Sequence, residues 1–260
     1  MSLYIAKETS LHRLHPLTKI FIMVFGFYSA IIFNSPLHLL PLLIFFVFLT
    51  ILGGGTNNLI RMRFILILLF LFSSILWALF IKSGRTILKF GPIIITDDSL
   101  TYGLGMGMRL DLMVITGLLF FSITMIEEFS LGLHKLGLPY PLCFAISMAF
   151  RLVPLFLKEA MIVTEAQTLR GLDLYSGGIF NRIKRHFPLI IPVFTTTIKG
   201  MDNLFLALES KGFAPDRKRT FYLESDLKFI DYSILIILIL LALFLLFLRI
   251  HHFGVVLNRL

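Results

Sequence analysis

The chain has 260 residues, 57% of them apolar and only 15% charged, with a mean hydropathy of +0.91 and 28 Phe against one Trp. The apolar side chains come in runs that approach the thickness of a bilayer, which excludes an ordinary soluble domain and points to an all-α integral membrane protein. Lys plus Arg is 24 and Asp plus Glu 15, and in a membrane chain the resulting +9 marks the loops kept in the cytoplasm rather than a nucleic-acid surface.

The N-terminal stretch up to Lys19 is polar, with no small-residue cleavage pattern behind it, so the first span is expected to direct insertion itself. Four apolar stretches follow, Ile20 to Phe33, Leu37 to Leu52, Phe64 to Ile81 and about Leu104 to Ile126; a fifth runs from Tyr232 to Leu248. About five transmembrane helices are therefore expected, several shorter than the ~20 residues that a perpendicular span needs. Asn34-Ser35-Pro36 is a tight link, and Gly53 to Asn58 reads as a flexible loop, because no Gly-Lys-Ser/Thr follows to make it a phosphate cradle. Lys7, Arg13 and Lys19 before the first span, and Arg61 and Arg63 before the third, place the N-terminus in the cytoplasm. The basic residues Lys82, Arg85 and Lys89 of the outer loop, and Arg249 and Arg259 of the tail, pull mildly the other way.

Residues 127 to 230 carry 13 basic and 10 acidic side chains, yet do not read as a soluble domain. Leu142 to Arg170 is apolar apart from Arg151, Lys158 and Glu165, which recur every seven residues with Glu159 beside them. Ile179 to Lys211 behaves alike, with Lys199, Asp202 and Glu209 on one face. Two arrangements satisfy such a thin polar stripe. The helix lies at the cytoplasmic edge of the membrane with its stripe in water, or it is an imperfect span with interior-facing charges. Three segments follow: an N-terminal four-span bundle over 1–126, amphipathic cytoplasmic-side helices over 127–230, and a last span with its tail over 231–260.

Both long helices end alike. Ala166 precedes Arg170 by four residues and Gly171 follows; Ala207 precedes Lys211 by four and Gly212 follows. Glycine stops a helix by turning left-handed, and a cation suits the negative end of the helix dipole, so one copy is ordinary punctuation. Two copies on matched helices suggest more, because a cation held at a helix tip is placed to enter a carboxylate-lined groove on another protein.

Elsewhere the chemistry is thin. The lone Cys143 allows neither an intrachain disulfide nor a cysteine metal site, and the histidines make no ligand set: Pro16 follows the pair His12 and His15, and no third ligand is near. Glu127 and Glu128 are adjacent and point apart on a helix, so they mark an interface boundary. Gly103, Gly105 and Gly107 read as close helix packing. Arg109 and Asp111 reach the outer interface, other spans or a partner protein. No catalytic residue, cofactor or metal is assigned.

In the order and spacing of its motifs, nearly the whole chain resembles the transmembrane T components of energy-coupling factor (ECF) transporters, the EcfT/CbiQ family. The resemblance is carried by Leu11-His12-Arg13-Leu14-His15-Pro16-Leu17-Thr18-Lys19, similar to the family's L-H-R-L-D-P-R-T-K, by Gly103 to Leu112, and by Leu136-Gly137-Leu138-Pro139. Phe150-Arg151-Leu152-Val153-Pro154, Pro188 to Pro192 and the two helix ends, which look like the family's paired Ala-Arg-Gly signatures, complete it. The resemblance implies a non-catalytic scaffold in a bacterial or archaeal cell membrane. Its coupling helices would engage two ABC-type ATPase subunits and move a separate S component that binds a vitamin or a transition-metal ion. Arg170 and Lys211 would be the coupling cations, Gly171 and Gly212 would permit the turn, and Ala166 and Ala207 would keep the approaching faces slim, with Arg151 and Pro154 structural parts of the first coupling helix. The chain departs from the pattern in Leu-Arg-Gly and Ser-Lys-Gly at the two signatures and in His15 for an aspartate; lysine keeps the charge and loses the planar fork. A self-sufficient carrier or channel is the alternative, although ionisable residues in the spans and an internal repeat are not evident.

Overall fold

The computed structural model describes residues 7, 9–81, 84–90, 93–172, 178–213 and 227–251. Lys82 and Arg259 lie outside the described residues. The chain falls into two compact units, one formed by Met1–Leu136 with Glu224–Leu260 and the other by Gly137–Leu223.

The first unit contains α1 (Pro16–Ile32), α2 (Pro36–Leu52), α3 (Thr56–Phe80), α4 (Asp97–Ile123), α5 (Ile126–Lys135) and α8 (Phe229–Ile250). Prolines at the first helical positions of α1 and α2 start these helices where a missing N–H does no harm. Helix α4 is central, packing against α1, α2 and α3, and half of its most apolar window is buried, against 6% for α3 and for α8. The core gathers Phe25, Ala30 and Phe33 of the α1 segment, Leu39 and Phe46 of α2, Leu112, Ile115 and Leu119 of α4 and Leu245 of α8. The outer apolar faces of α3 and α8, with Phe64, Phe72, Phe80, Ile237 and Phe244 among them, are exposed, as side chains that meet lipid must be.

Three boundaries differ from the sequence reading. Residues 82–101 are expected as one outer loop, but Thr86–Phe90 and Ile93–Thr96 pair as antiparallel strands β1 and β2, and α4 already begins at Asp97. The β-branched run Ile93-Ile94-Ile95-Thr96 favours a strand, and a capping box then starts the helix, with Ser99 N donating to Thr96 Oγ1 and Thr96 N to Ser99 Oγ. The glycine loop is shorter than expected. Gly54 sits at φ +78° in the turn after α2, and Thr56 already opens α3, so Asn58, Arg61 and Arg63 are helical. Finally, the fourth apolar stretch is two helices, because α4 stops at Ile123 and Glu127 and Glu128 fall in the first turn of α5.

Among the described residues, five helices are long and apolar enough to cross a membrane: α3, α4, α8, α6 (Tyr140–Leu169) and, within α7 (Ile179–Ser210), the stretch His186–Ser210. The chain is a multi-pass membrane protein. The expected number is right, but the membership differs: α1 and α2 are only 17 residues each, whereas both long polar-striped helices qualify.

The glycine pattern of α4 is a packing device. A Cβ on Gly103 would lie 2.6 Å from the Ser74 carbonyl oxygen of α3, and one on Gly107 would lie 2.9 Å from the Phe70 carbonyl oxygen. On Gly105, a Cβ would overlap the Asn34 carbonyl oxygen between α1 and α2. Gly117, on the same helix, has open space. Gly105→Ala is therefore expected to destabilise by about 1–3 kcal/mol through overpacking, whereas Gly117→Ala should gain roughly 0.5–1 kcal/mol from the lower backbone entropy of its unfolded state. Thermal unfolding of the two purified variants in detergent checks this difference in sign.

Candidate coupling surface

In the second unit α6 and α7 pack against each other. Val163 and Leu189 are buried between them, with Val193 and Leu172 alongside. Phe156 meets Phe194 edge-on at 6.3 Å, and Phe144 meets Phe213 at 4.6 Å. As the residue number rises on α6 it falls on α7, so the pair is antiparallel. Prolines interrupt both helices, Pro154 in α6 and Pro188 and Pro192 in α7, and each removes an N–H from the helical ladder. Below the two α7 prolines, three consecutive threonines donate back to the preceding turn: Thr195 Oγ1 to Ile191 O, Thr196 Oγ1 to Pro192 O and Thr197 Oγ1 to Val193 O, a pattern that tends to bend helices.

The two helix ends share three backbone bonds. Arg170 N donates to Ala166 O, Gly171 N to Thr168 O at 3.0 Å and Leu172 N to Gln167 O at 3.1 Å, with Gly171 at φ +89°. Lys211 N donates to Ala207 O, Gly212 N to Glu209 O at 2.8 Å and Phe213 N to Leu208 O at 2.9 Å, with Gly212 at φ +69°. Each is a Schellman stop, in which the left-handed glycine returns two donors to the last turn and leaves the cation as the final residue before the chain turns away. A side chain at either glycine would be strained by roughly 1–2 kcal/mol. Arg170, Gly171, Lys211 and Gly212 are exposed, as are Ala166 and Ala207 one turn earlier. Arg151 and Pro154 are exposed near the middle of α6, and Arg151, Lys158 and Glu165 all face outward.

The structure does not bring the two cations together. In an antiparallel pair with Phe144 opposite Phe213, Lys211 sits near the start of α6 and Arg170 at its finish, some 25 residues on. At 1.5 Å per residue that separates them by on the order of 40 Å.

A second polar cluster, in the first unit, escapes the sequence reading. Lys19 is expected as a loop cation, but it lies in the first turn of α1 and is only 1% exposed. Its Nζ donates to Glu128 Oε2 of α5 at 2.7 Å and to the Ile123 carbonyl at 3.0 Å, and Glu128 also accepts from Met125 N. His15, expected in a juxtamembrane polar segment, is 3% exposed; its Nδ1 accepts from Leu17 N, capping α1, and its Nε2 lies 3.0 Å from Lys135 Nζ. Asp231 of α8 is 2% exposed and accepts from His15 N, Thr18 Oγ1 and Lys228 N. The opening motif is thus a buried knot that ties α1 to α5 and α8, and histidine at position 15 still supplies the acceptor that a helix start requires. Arg109 faces other parts of the chain: its Nη2 donates to the Phe33 carbonyl at 2.9 Å, to the Ile31 carbonyl and to Asn34.

The sequence profile of the CbiQ family, described as cobalt transport protein, matches residues 7–222. The chain belongs to that family. An energy-coupling factor transporter transmembrane protein EcfT of Bacillus subtilis is 29% identical over 262 residues, covering 95% of this chain and 96% of that protein. One from Thermosediminibacter oceani is 29% identical over 228 residues, covering 84% and 85%. A putative ABC transporter ATP-binding protein of Bifidobacterium longum is 28% identical over 222 residues, which cover 81% of this chain but 28% of that longer protein. This CbiQ-family chain is a transmembrane component of an ECF transporter.

Proposed function

We propose that the chain is the coupling scaffold of an ECF-type ABC importer. It transmits ATP-driven motion from two partner ATPase subunits to a separate membrane S component that holds a vitamin or a transition-metal ion, and performs no chemistry itself. The observation that carries this reading is the pair of Schellman helix stops, each presenting one exposed cation, at opposite ends of one antiparallel helix pair. A spacing on the order of 40 Å is of the size of a small domain, so the two cations suit two grooves on two subunits better than one groove on one. The Bifidobacterium longum relative supports the reading, because there a similar stretch belongs to a protein named for ATP binding. In this assignment Arg170 and Lys211 are the coupling cations, Gly171 and Gly212 permit the turn, and Ala166 and Ala207 leave room for the groove walls. Arg151 and Pro154 shape the first coupling helix. Residues 127–230 act as the coupling segment between a bundle over 1–126 and a last span over 231–260, with the N-terminus and the coupling helices on the cytoplasmic side.

The test is co-purification in detergent of the tagged chain with co-expressed ABC ATPases. Wild type is expected to retain ATPase subunits, and Arg170→Glu and Lys211→Glu each to lose one contact by setting a carboxylate against an acidic groove. If the wild type retains none and reconstituted chain alone transports substrate, the scaffold reading fails in favour of a self-sufficient carrier.

A further inference from the structure

The first unit holds an apolar cavity of about 340 Å³, lined by Phe33, Leu37, His38 and Leu42 on one side and by Leu245 and Leu248 on the other. Cavities of ~300–1,000 Å³ are the usual size of small-ligand sites. This one opens between the start of α2 and the end of the candidate span α8, beside the end of α1. Two polar features beside it are incompletely satisfied. First, Arg109 Nη2 of α4 and Arg249 Nη1 of α8 both donate to the carbonyl oxygen of Ile31, at 3.3 and 3.2 Å, so the two nitrogens are no more than about 6.5 Å apart. Among the described residues neither arginine has an ion-pair partner, and the carbonyls ending α1 supply only about half a negative charge. Arg249 is exposed, and its Nε and Nη2 have no partner among the described residues. Second, His38 stacks on Phe33 at 5.2 Å and lines the cavity, while its buried Nδ1 has no hydrogen-bond partner among the described residues.

The geometry points to a binding site for an anionic phospholipid, with the phosphate on Arg249 and Arg109 and the upper part of one acyl chain in the α2–α8 cavity. The elements are continuous: Arg249 directly follows the lining residue Leu248, and Phe33 lines the cavity with its ring while its carbonyl holds Arg109 at 2.9 Å. Hydrocarbon is the fitting occupant of so apolar a wall, because water there would find only His38 to bond to. A guanidinium meets phosphate with paired N–H donors, and a cation near the headgroups contributes about 1 kcal/mol toward anionic lipid.

Native mass spectrometry of the full chain from detergent tests this, using phosphatidylglycerol and phosphatidylcholine with identical acyl chains, and glycerol phosphate as the headgroup alone. Wild type is expected to retain phosphatidylglycerol over phosphatidylcholine by about fivefold or more, the equivalent of one cation. Arg249→Gln should erase that preference, and Arg249→Lys should keep most of it. Leu37→Trp, at an exposed position that lines the cavity, should lower retention of both lipids with the arginines intact. Equal retention of the two lipids by wild type, or a preference untouched by both Arg249→Gln and Leu37→Trp, would overturn the site. Glycerol phosphate competing as well as the whole lipid would reassign it to a soluble anion and overturn the lipid proposal.

Discussion

Arg170→Ala should reduce substrate uptake at least tenfold in cells while leaving membrane insertion and expression unchanged. The argument starts from the helix stop. The Arg170 backbone bonds, to Ala166 O and through Gly171 and Leu172, do not involve the guanidinium, so removing it leaves the turn intact. The side chain is exposed and has no partner among the described residues, so its loss is not a folding defect. What disappears is a charge-assisted contact worth roughly 1.5–3 kcal/mol, which is tenfold or more in an equilibrium constant. Lys211 has the same backbone frame around a single ammonium. Lys211→Arg should therefore be tolerated and Lys211→Glu should not. Normal uptake by a well-expressed Arg170→Ala protein would remove the coupling assignment.

The second large effect concerns stability and is asymmetric. Glu128→Leu should destabilise the protein by about 3–5 kcal/mol, because it strands the wholly buried Lys19 ammonium with only the Ile123 carbonyl. Lys19→Met should have a smaller effect, about 1–3 kcal/mol, since the Glu128 side chain is 29% exposed and can turn toward water. Thermal unfolding of both variants in detergent checks the order. Equal losses, or a larger loss for Lys19→Met, would mean that the ammonium is better solvated than its burial indicates.

The parts of the fold that rest on local pattern were readable in the residues. The apolar runs mark α1, α2, α3 and α8 to within a few positions, apart from the N-terminus of α3, because a helix in lipid announces itself by length and hydropathy alone. The three glycines of α4 point to close packing for the same local reason. What stayed hidden depends on partners far along the chain. Lys19 looks like a loop cation until Glu128, 109 positions away, is brought to it, and nothing local marks Asp231 until His15 and Thr18 arrive. The hairpin of residues 86–96 was hidden differently, because isoleucines between charged neighbours read equally as an apolar loop or a strand. At the coupling surface the sequence shows two similar endings, but their antiparallel placement emerges only from the pairing of Phe144 with Phe213 and of Val163 with Leu189.

That antiparallel pairing also gives the hairpin of α6 and α7 a direction of closure. Val163 and Leu189 are 26 positions apart, Phe156 and Phe194 are 38 apart, and Phe144 and Phe213 are 69 apart. Closing the longest of these loops directly carries about 0.9 kcal/mol more chain entropy than closing the shortest. The pair is therefore expected to zip from the Arg170 end toward the Lys211 end during folding and to fray in reverse. Of two ends with the same Schellman bonds, the one bearing lysine, the more pliable cation, is also the one expected to yield first.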